Sequence, residues 1–254
     1  MFLRQNGASG FTYRKMARPS DVIHARCTDQ RRDKMSAQDW LNRRSHGAGI
    51  VELQLGKGPS NGLNAEFLLD FSAEVQSLAE DSAIQIILIS SPFHSFCSGA
   101  EVAENSAEFA DGVQSAIDAL LSCGKPTIAV INGDILDAGL CLALACDSRI
   151  GVTKTGYGLP YVHTRRSPTA AEQKILHQKL DPNVARRLLL TGQTIGPVAA
   201  RNYGIIDLVA EDQEDLWMFA LREAKTFAAV PVDHFAAVKK LLNNPLEATS
   251  QNTG

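Results

Sequence analysis

The sequence predicts an α/β fold, because short apolar segments with strand periodicity alternate with amphipathic helical segments. Residues 50–55 alternate between apolar and polar side chains, which indicates a half-buried strand, and apolar runs at 84–89 and 127–131 indicate two more. Between the first two strands, apolar side chains recur at helical spacing from Phe67 to Leu78, after Asn64, which can cap a helix. Strands that alternate with helices in this way form parallel βαβ units.

The second half of the chain is predicted to be mainly helical. Thr169 and Glu172 have the spacing of a capping box, and Asp181 before Pro182 indicates the start of a further helix. The remaining predicted elements are helices at 104–122, 138–146, 197–204, 214–229 and 232–243, and strands at 149–152 and 205–209. We therefore expect an α/β core that is followed by a helical region.

Composition narrows the class of protein. The chain has 254 residues, of which 44% are hydrophobic and 21% are charged, as is typical of soluble globular enzymes. No apolar run reaches the length of about 18 residues that a membrane span requires. The five cysteines have no paired spacing, and the six histidines are scattered, which argues against disulfides and a metal site. We therefore expect a cytoplasmic protein with no membrane partner.

Positive charge is concentrated at residues 1–45, which carry ten Lys or Arg against four Asp, although the whole chain has a formal charge of −3. This segment has few aliphatic residues and no clear periodicity, which is typical of an extension outside the core. It could be a solvated tail, sequence ahead of a start at Met35, a targeting presequence or an arm that binds nucleic acid. The Asp residues argue against the presequence, and the lack of interleaved aromatic residues argues against nucleic acid as a partner.

We therefore divide the chain into three parts. Residues 1–45 are predicted to be a basic and disordered extension, residues 46–195 an α/β core, and residues 196–254 a C-terminal helical region that mediates oligomerisation.

The strongest clue to function is a pair of turns that are rich in small residues. Residues 95–101 follow the strand at 84–89, and residues 132–143 follow the strand at 127–131. Where a strand runs into a helix N-terminus, unpaired backbone N–H groups face whatever is bound there. Two such turns side by side can form an oxyanion hole from the backbone alone.

Together with their surroundings, these turns resemble the crotonase (enoyl-CoA hydratase/isomerase) superfamily. The resemblance extends from about Gly49 to Leu242, and it includes further matches at residues 59–63, 146–147, 190–192, 199–207 and 235–242. It implies an α/β fold of the crotonase (ClpP/crotonase-like) type, in which a spiral core of ββα units is followed by a helical trimerisation region. A homotrimer, or a hexamer made of two trimers, is therefore expected.

The resemblance also implies a set of catalytic residues. The backbone N–H groups of Ala100 and Ala138 match the oxyanion-hole donors that stabilise a thioester enolate in the family. The two positions where hydratases of the family carry glutamates are occupied here by Cys141 and Tyr161, so the chain is a divergent member that lacks both. Asp137, which stands where the family usually has glycine, could act as a base or cap the following helix. Tyr161 could be a general acid or a packed aromatic residue.

For binding of coenzyme A, the resemblance implies Asn61, Leu63 and Lys239, and it makes His94 and Arg165 further candidates for phosphate contact. Lysine would bind phosphate as a point charge. No cofactor is expected to be required, because the coenzyme A thioester is itself the substrate. An acyl-carrier protein could present the acyl group instead.

Three functions remain open at this stage. The leading one is an enzyme of lyase or isomerase type that stabilises a thioester enolate and catalyses isomerisation, decarboxylation or another reaction that does not need two glutamates. The second is a noncatalytic crotonase-fold subunit. The third is a family member that binds RNA through its basic extension.

Overall fold

The structure is a computed structural model that describes residues 40–101 and 105–243. The strands are β1 (Leu41–Ser45), β2 (Ile50–Leu55), β3 (Gly62–Leu63), β4 (Ile86–Ser90), β5 (Ser95–Cys97), β6 (Gly99–Ala100), β7 (Thr127–Ile131), β8 (Asp134–Leu136), β9 (Ser148–Val152), β10 (Tyr157–Gly158), β11 (Thr194–Ile195) and β12 (Leu208–Ala210). The helices are α1 (Ala65–Glu80), α2 (Ala107–Ser122), α3 (Asp137–Ala145), α4 (Tyr161–Thr164), α5 (Ala170–Lys179), α6 (Pro182–Thr191), α7 (Pro197–Asn202), α8 (Gln213–Ala228) and α9 (Val232–Asn243).

A six-stranded sheet with the order β1-β2-β4-β7-β9-β12 forms the centre of the fold. From β2 to β12 each strand runs parallel to its neighbour, and only β1 pairs antiparallel at the edge. The parallel arrangement confirms the predicted βαβ units. The α/β fold class is therefore confirmed.

The two faces of this sheet are covered by different helices. Ile87 and Ile89 of β4 belong to the main core, which also contains the buried faces of α1, α2 and α3. Ile86 and Leu88 point to the opposite face and pack with Leu216 and other apolar residues of α8. Because successive strand residues alternate between faces, one apolar strand contributes to both cores.

Two smaller sheets lie beside the main one and carry the two turns. Strands β11, β10, β8 and β5 form a four-stranded sheet, and β3 pairs with β6. The first turn contains β5 and β6, and the second contains β8 and the start of α3. The pairing of β5 with β8 brings the two turns next to each other.

The start of several helices was predicted correctly from capping residues close by in the sequence. Asn64 caps α1 through the N–H of Phe67, which confirms the predicted cap. Thr169 and Glu172 form both hydrogen bonds of a capping box at α5. Asp181 caps α6 and is followed by Pro182, which also confirms the prediction.

Other boundaries differ from the prediction. Helix α2 begins at Ala107 because the side chain of Ser106 accepts from the N–H of Phe109, whereas the predicted start at Glu104 lies outside the described residues. The predicted strand at 205–209 is found as β12 at Leu208–Ala210. Ile205 and Ile206, the first two residues of the predicted strand, instead donate their N–H groups to the carbonyl of Ala200 and so close the end of α7.

The sheet extends further towards the N-terminus than residue 46, where the core was predicted to begin. Leu41–Ser45 pairs with β2, and the side chain of Leu41 is buried. The other residues of the predicted extension, up to residue 39, lie outside the described part of the chain.

At the C-terminus, α8 packs on the sheet, and the side chain of Asn243 in α9 donates to the carbonyl of Leu121 in α2. Assembly into a trimer stays a prediction. Within the described residues, 40–101 and 105–243, no helix is long and apolar enough to cross a membrane.

Candidate functional site

The two turns meet at Gly99 and Asp137. Gly99 has a φ of 86°, and a Cβ atom on it would lie 2.4 Å from the Cβ of Asp137. Any larger residue at position 99 would therefore collide with the second turn, in addition to adopting an unfavourable φ. The close approach explains why a glycine precedes Ala100.

Asp137 is the first residue of α3 and has a φ of 55°, which is a left-handed conformation that Asp tolerates better than most residues. Its carboxylate does not cap the helix, because its hydrogen-bond partners among the described residues are Ala100 and Arg166, and the N-cap position is held by Leu136. Instead, Oδ2 of Asp137 accepts a hydrogen bond of 2.9 Å from the backbone N–H of Ala100. The capping role considered for Asp137 is therefore wrong, and the N–H of Ala100 binds a carboxylate from its own chain.

Arg166 holds this carboxylate in place. Its Nη2 donates to Oδ1 of Asp137 at 2.7 Å, and its Nε donates to Oδ2 at 3.2 Å, so the guanidinium binds the carboxylate through two parallel hydrogen bonds. The same guanidinium also donates to both carboxylate oxygens of Glu172. It lies over the rings of Tyr161 and Phe109, at 4.8 and 5.3 Å from the ring centroids.

Tyr161 and Cys141 complete the group. The hydroxyl of Tyr161 donates to Oε1 of Glu172 at 3.0 Å, and the sulfur of Cys141 lies 3.8 Å from the hydroxyl oxygen of Tyr161. We refer to Asp137, Cys141, Tyr161, Arg166 and Glu172 as the Asp137 cluster. All five are at least 93% buried.

Burial determines the protonation of the cluster. Burial raises the pKa of Cys141 well above its ordinary value, and the negative charge of Glu172 adds to the effect. Burial likewise raises the pKa of Tyr161, with further contributions from Cys141 and Glu172. Both groups are therefore neutral at physiological pH, and the thiol has little nucleophilic character.

Arg166 stays charged. Burial alone would lower the pKa of Arg166, but its hydrogen bonds to Glu172 and Asp137 raise that pKa above its ordinary value. The cluster therefore contains one permanent cation between two carboxylates, and hydrogen bonds from Ala100 and Tyr161 compensate part of the negative excess.

Comparison with known proteins agrees with this architecture. A sequence model of the family described as "Enoyl-CoA hydratase/isomerase" matches residues 45–253. The chain belongs to this family. The predicted resemblance and the predicted crotonase fold are thereby confirmed.

Individual members of the family are distant from this chain. It is 30% identical over 178 residues to "Probable enoyl-CoA hydratase 2, mitochondrial" of Arabidopsis thaliana, a match that covers 66% of this chain and only 59% of that protein. It is 28% identical over 211 residues to "Probable enoyl-CoA hydratase EchA17" of Mycobacterium tuberculosis, with 80% of each chain covered. The solved structure of Pseudomonas aeruginosa DspI is similar with a TM-score of 0.77, at 23% identity and 85% coverage of each chain, and this similarity concerns the fold.

The structure places the four predicted catalytic residues in one region. Ala100, Asp137 and Tyr161 are linked through the Asp137 cluster, and Ala138 follows Asp137 in α3, where its side chain is fully buried. Their roles in catalysis stay predictions. What the arrangement does show is that a ligand oxygen could reach the N–H of Ala100 only if the carboxylate of Asp137 moved away.

Of the predicted coenzyme A ligands, Asn61 and Leu63 lie two residues apart beside the first turn, whereas Lys239 lies on α9. Asn61 is fully buried, and its amide donates to the hydroxyl of Ser91 and the carbonyl of Phe96, both at 2.9 Å. Leu63 is buried beside Ala100 in the pairing of β3 with β6. Lys239 is 5% exposed, and its Nζ lies 2.7 Å from Oδ2 of Asp147. Their contact with coenzyme A stays a prediction.

Sequence reasoning missed Arg166 and the second role of Glu172. The sequence indicates Glu172 only as part of a capping box, and it does accept from the N–H of Thr169 at 2.6 Å. The same carboxylate also binds Arg166 and Tyr161. Arg166 lies between α4 and α5, where no periodicity distinguishes a buried side chain from the exposed Arg165 beside it.

Proposed function

We propose that this chain is a noncatalytic member of the enoyl-CoA hydratase/isomerase family, in which the Asp137 cluster occupies the place of the substrate carbonyl. The observation that carries the proposal is the hydrogen bond from the N–H of Ala100 to the carboxylate of Asp137. In the family, the matching N–H is expected to bind the thioester oxygen. Here it is already satisfied by a carboxylate that Arg166 holds from the other side.

Two further features support the absence of hydratase activity. Cys141 and Tyr161 stand where the resemblance places the glutamates that activate water, and both are held neutral by burial. General acid–base groups contribute about 10²–10⁴-fold to a rate. Glu172 is a carboxylate in the same region, but it is fully buried and bound to Arg166, Tyr161 and Thr169.

Opening the site would be costly. Separating a buried charge from its partner typically costs about 3–5 kcal/mol. If Asp137 had to leave Arg166 before a thioester could bind, the affinity would fall by about two to three and a half orders of magnitude.

A second candidate function is an enzyme that stabilises an acyl-thioester enolate and catalyses isomerisation, decarboxylation or a related reaction. The observation that favours it is also the contact of Ala100 with Asp137, because it places an anionic oxygen 2.9 Å from the predicted oxyanion donor. In this alternative, Asp137 moves when the coenzyme A or carrier-protein thioester binds and then acts as the base, and Tyr161 acts as the acid.

The substitution Asp137→Gly separates the two candidates. Glycine accepts the φ of 55° at this position, and Arg166 keeps Glu172 as a partner. If the cluster only closes the site, Asp137→Gly should bind butyryl-CoA more tightly than the wild type, and neither protein should exchange the α-protons of butyryl-CoA with solvent.

If Asp137 is a base, the wild type should exchange α-protons or decarboxylate malonyl-CoA, and Asp137→Gly should lose that activity. Tyr161→Phe should then lower the rate without weakening binding, as expected for a contact made only in the transition state. Rapid hydration of crotonyl-CoA by the wild type would contradict both candidates.

We further propose that the chain assembles as a trimer or as two trimers in the cytoplasm. Exposed apolar side chains on α6, α7 and α9 support the assembly, since Leu190, Val198 and Leu242 are 65%, 71% and 75% exposed. Sedimentation at micromolar concentration tests the assembly, and a monomer would contradict it.

A further inference from the structure

A cavity lies on the α8 face of the sheet, just beyond the ends of β4 and β7. Its volume is about 740 Å³, which falls in the range of small-molecule sites. No member of the Asp137 cluster lines it. The residues around it include Arg44, His46, Glu52, Phe93, His94 and Trp217. Open α/β sheets commonly bind ligands at the carboxyl ends of their parallel strands.

One wall of this cavity is a histidine held by a buried carboxylate. Oε2 of Glu52 lies 2.9 Å from Nε2 of His46, and Oε1 accepts from the hydroxyl of Ser90 at 2.6 Å and from the amide of Gln54 at 3.4 Å. Glu52 itself is fully buried. Its two oxygens are therefore engaged within the protein, and His46 is the member of the group that a ligand can reach.

Arg44 is a cation that Glu52 does not neutralise. The two residues are cross-strand partners in β1 and β2, yet the carboxylate of Glu52 is hydrogen-bonded to His46. Within residues 40–101 and 105–243, Arg44 has no ion-pair partner. A second basic side chain, His94, lines the same cavity. This combination favours an anionic ligand, because a guanidinium binds phosphate and carboxylate through directed hydrogen bonds.

The cavity also offers aromatic surface. Trp217 stacks on the ring of His46, with 5.3 Å between ring centroids and 26° between ring planes, and Phe93 lines the cavity as well. Aromatic rings favour planar ligand groups. We propose that this cavity binds a planar organic anion of the size and chemistry of a nucleoside monophosphate, with the anionic group at Arg44. The proposal does not depend on the proposed function, because no residue of the Asp137 cluster lines the cavity.

The test uses the full-length protein and adenosine 5′-monophosphate. The chain has two tryptophans, and Trp40→Phe leaves Trp217 as the reporter of fluorescence quenching. Arg44→Gln should weaken binding about ten- to hundredfold, as expected for the loss of charge-assisted hydrogen bonds. Arg43→Gln is the matched control, because Arg43 lies next in the same strand but pairs with Glu74 and does not line the cavity.

Further controls test whether the anionic group and Trp217 are responsible for the signal. Adenosine, which lacks the anion, should bind the wild type as weakly as the monophosphate binds Arg44→Gln, and Asp137→Gly should leave binding unchanged. Trp217→Phe in the otherwise unaltered chain should abolish the quenching, which covers the case in which Trp40→Phe does not fold. The proposal is overturned if the monophosphate does not bind at millimolar concentration, if Arg43→Gln and Arg44→Gln lose affinity equally, or if adenosine binds as tightly as the monophosphate.

Discussion

Two buried ionic groups in this protein compensate their charges in different ways. In the Asp137 cluster, one guanidinium serves two carboxylates, and Asp137, Arg166 and Glu172 are all more than 90% buried. In the other group, Lys239 serves the single carboxylate of Asp147, which is partly exposed. Asp147 also accepts from the N–H and the hydroxyl of Thr127, at 2.8 and 2.9 Å.

The difference lies in what remains if the cation is removed. Without Arg166, two carboxylates would face each other in a site that water does not reach. Without Lys239, Asp147 would keep two neutral donors and some contact with water. The cost of burying a charge depends on how completely its partners replace water, so the two cations should contribute unequally to stability.

The largest expected effect is that of Arg166→Met. It should lower the free energy of unfolding by about 3–5 kcal/mol, because it leaves Asp137 and Glu172 buried without their shared cation. Urea unfolding measures this value directly. Arg165→Gln is the control, since Arg165 is exposed and its replacement should change stability by less than about 0.5 kcal/mol. Equal effects in the two variants would show that the guanidinium of Arg166 does not stabilise the buried carboxylates of the cluster.

A smaller loss is expected from Lys239→Met. It removes one charge-assisted hydrogen bond to Asp147, which corresponds to about 1.5–3 kcal/mol in the free energy of unfolding. Lys240→Met is the matched control, because Lys240 is exposed. If Lys239→Met leaves stability unchanged but weakens coenzyme A binding, the predicted phosphate contact of Lys239 gains support, and its structural role is refuted.

The elements of the fold could be predicted because their signals are local. The cap at Asn64 and the capping box at Thr169 each depend on residues a few positions apart. The strand at 50–55 was also predicted, but its half-buried character was wrong, since five of its six residues are buried between β1 and β4. Boundaries were less accurate where distant contacts decide them. Leu41–Ser45 becomes a strand because β2 lies beside it, although its own sequence is polar and basic.

The candidate site was predictable only in part, for a related reason. The resemblance indicated Ala100, Asp137 and Tyr161, which the structure does bring together. Arg166 could not be predicted, because its burial depends on two carboxylates that lie 29 and 6 residues away in the sequence. The ion pair of Lys239 could not be predicted either, because a lysine on the last described helix carries no sequence signal for a partner such as Asp147, 92 residues away.

The effect that is smallest at neutral pH, and that grows only in alkali, concerns two buried thiols, Cys141 within the Asp137 cluster and Cys146 beside Lys239 and Asp147. Burial raises the pKa of Cys146, near Lys239 and Asp147, to about 12, and it raises the pKa of Cys141 well above the ordinary value. In the unfolded chain both thiols titrate near a pKa of about 8.5. Above that pH the unfolded chain loses protons that the folded protein keeps, so alkali favours unfolding.

Each thiol should therefore lower the free energy of unfolding by about 1.4 kcal/mol per pH unit above a pH of about 8.5. For Cys146 this loss should continue until its folded pKa of about 12 is reached. Urea unfolding at several alkaline pH values gives the slope, and Cys146→Ala and Cys141→Ala should each flatten it by one thiol's share, whatever they do to stability at neutral pH. A slope that stays unchanged in Cys141→Ala would mean that this thiol ionises in the folded protein. The Asp137 cluster would then be open to water, and the explanation for its closed site would fail.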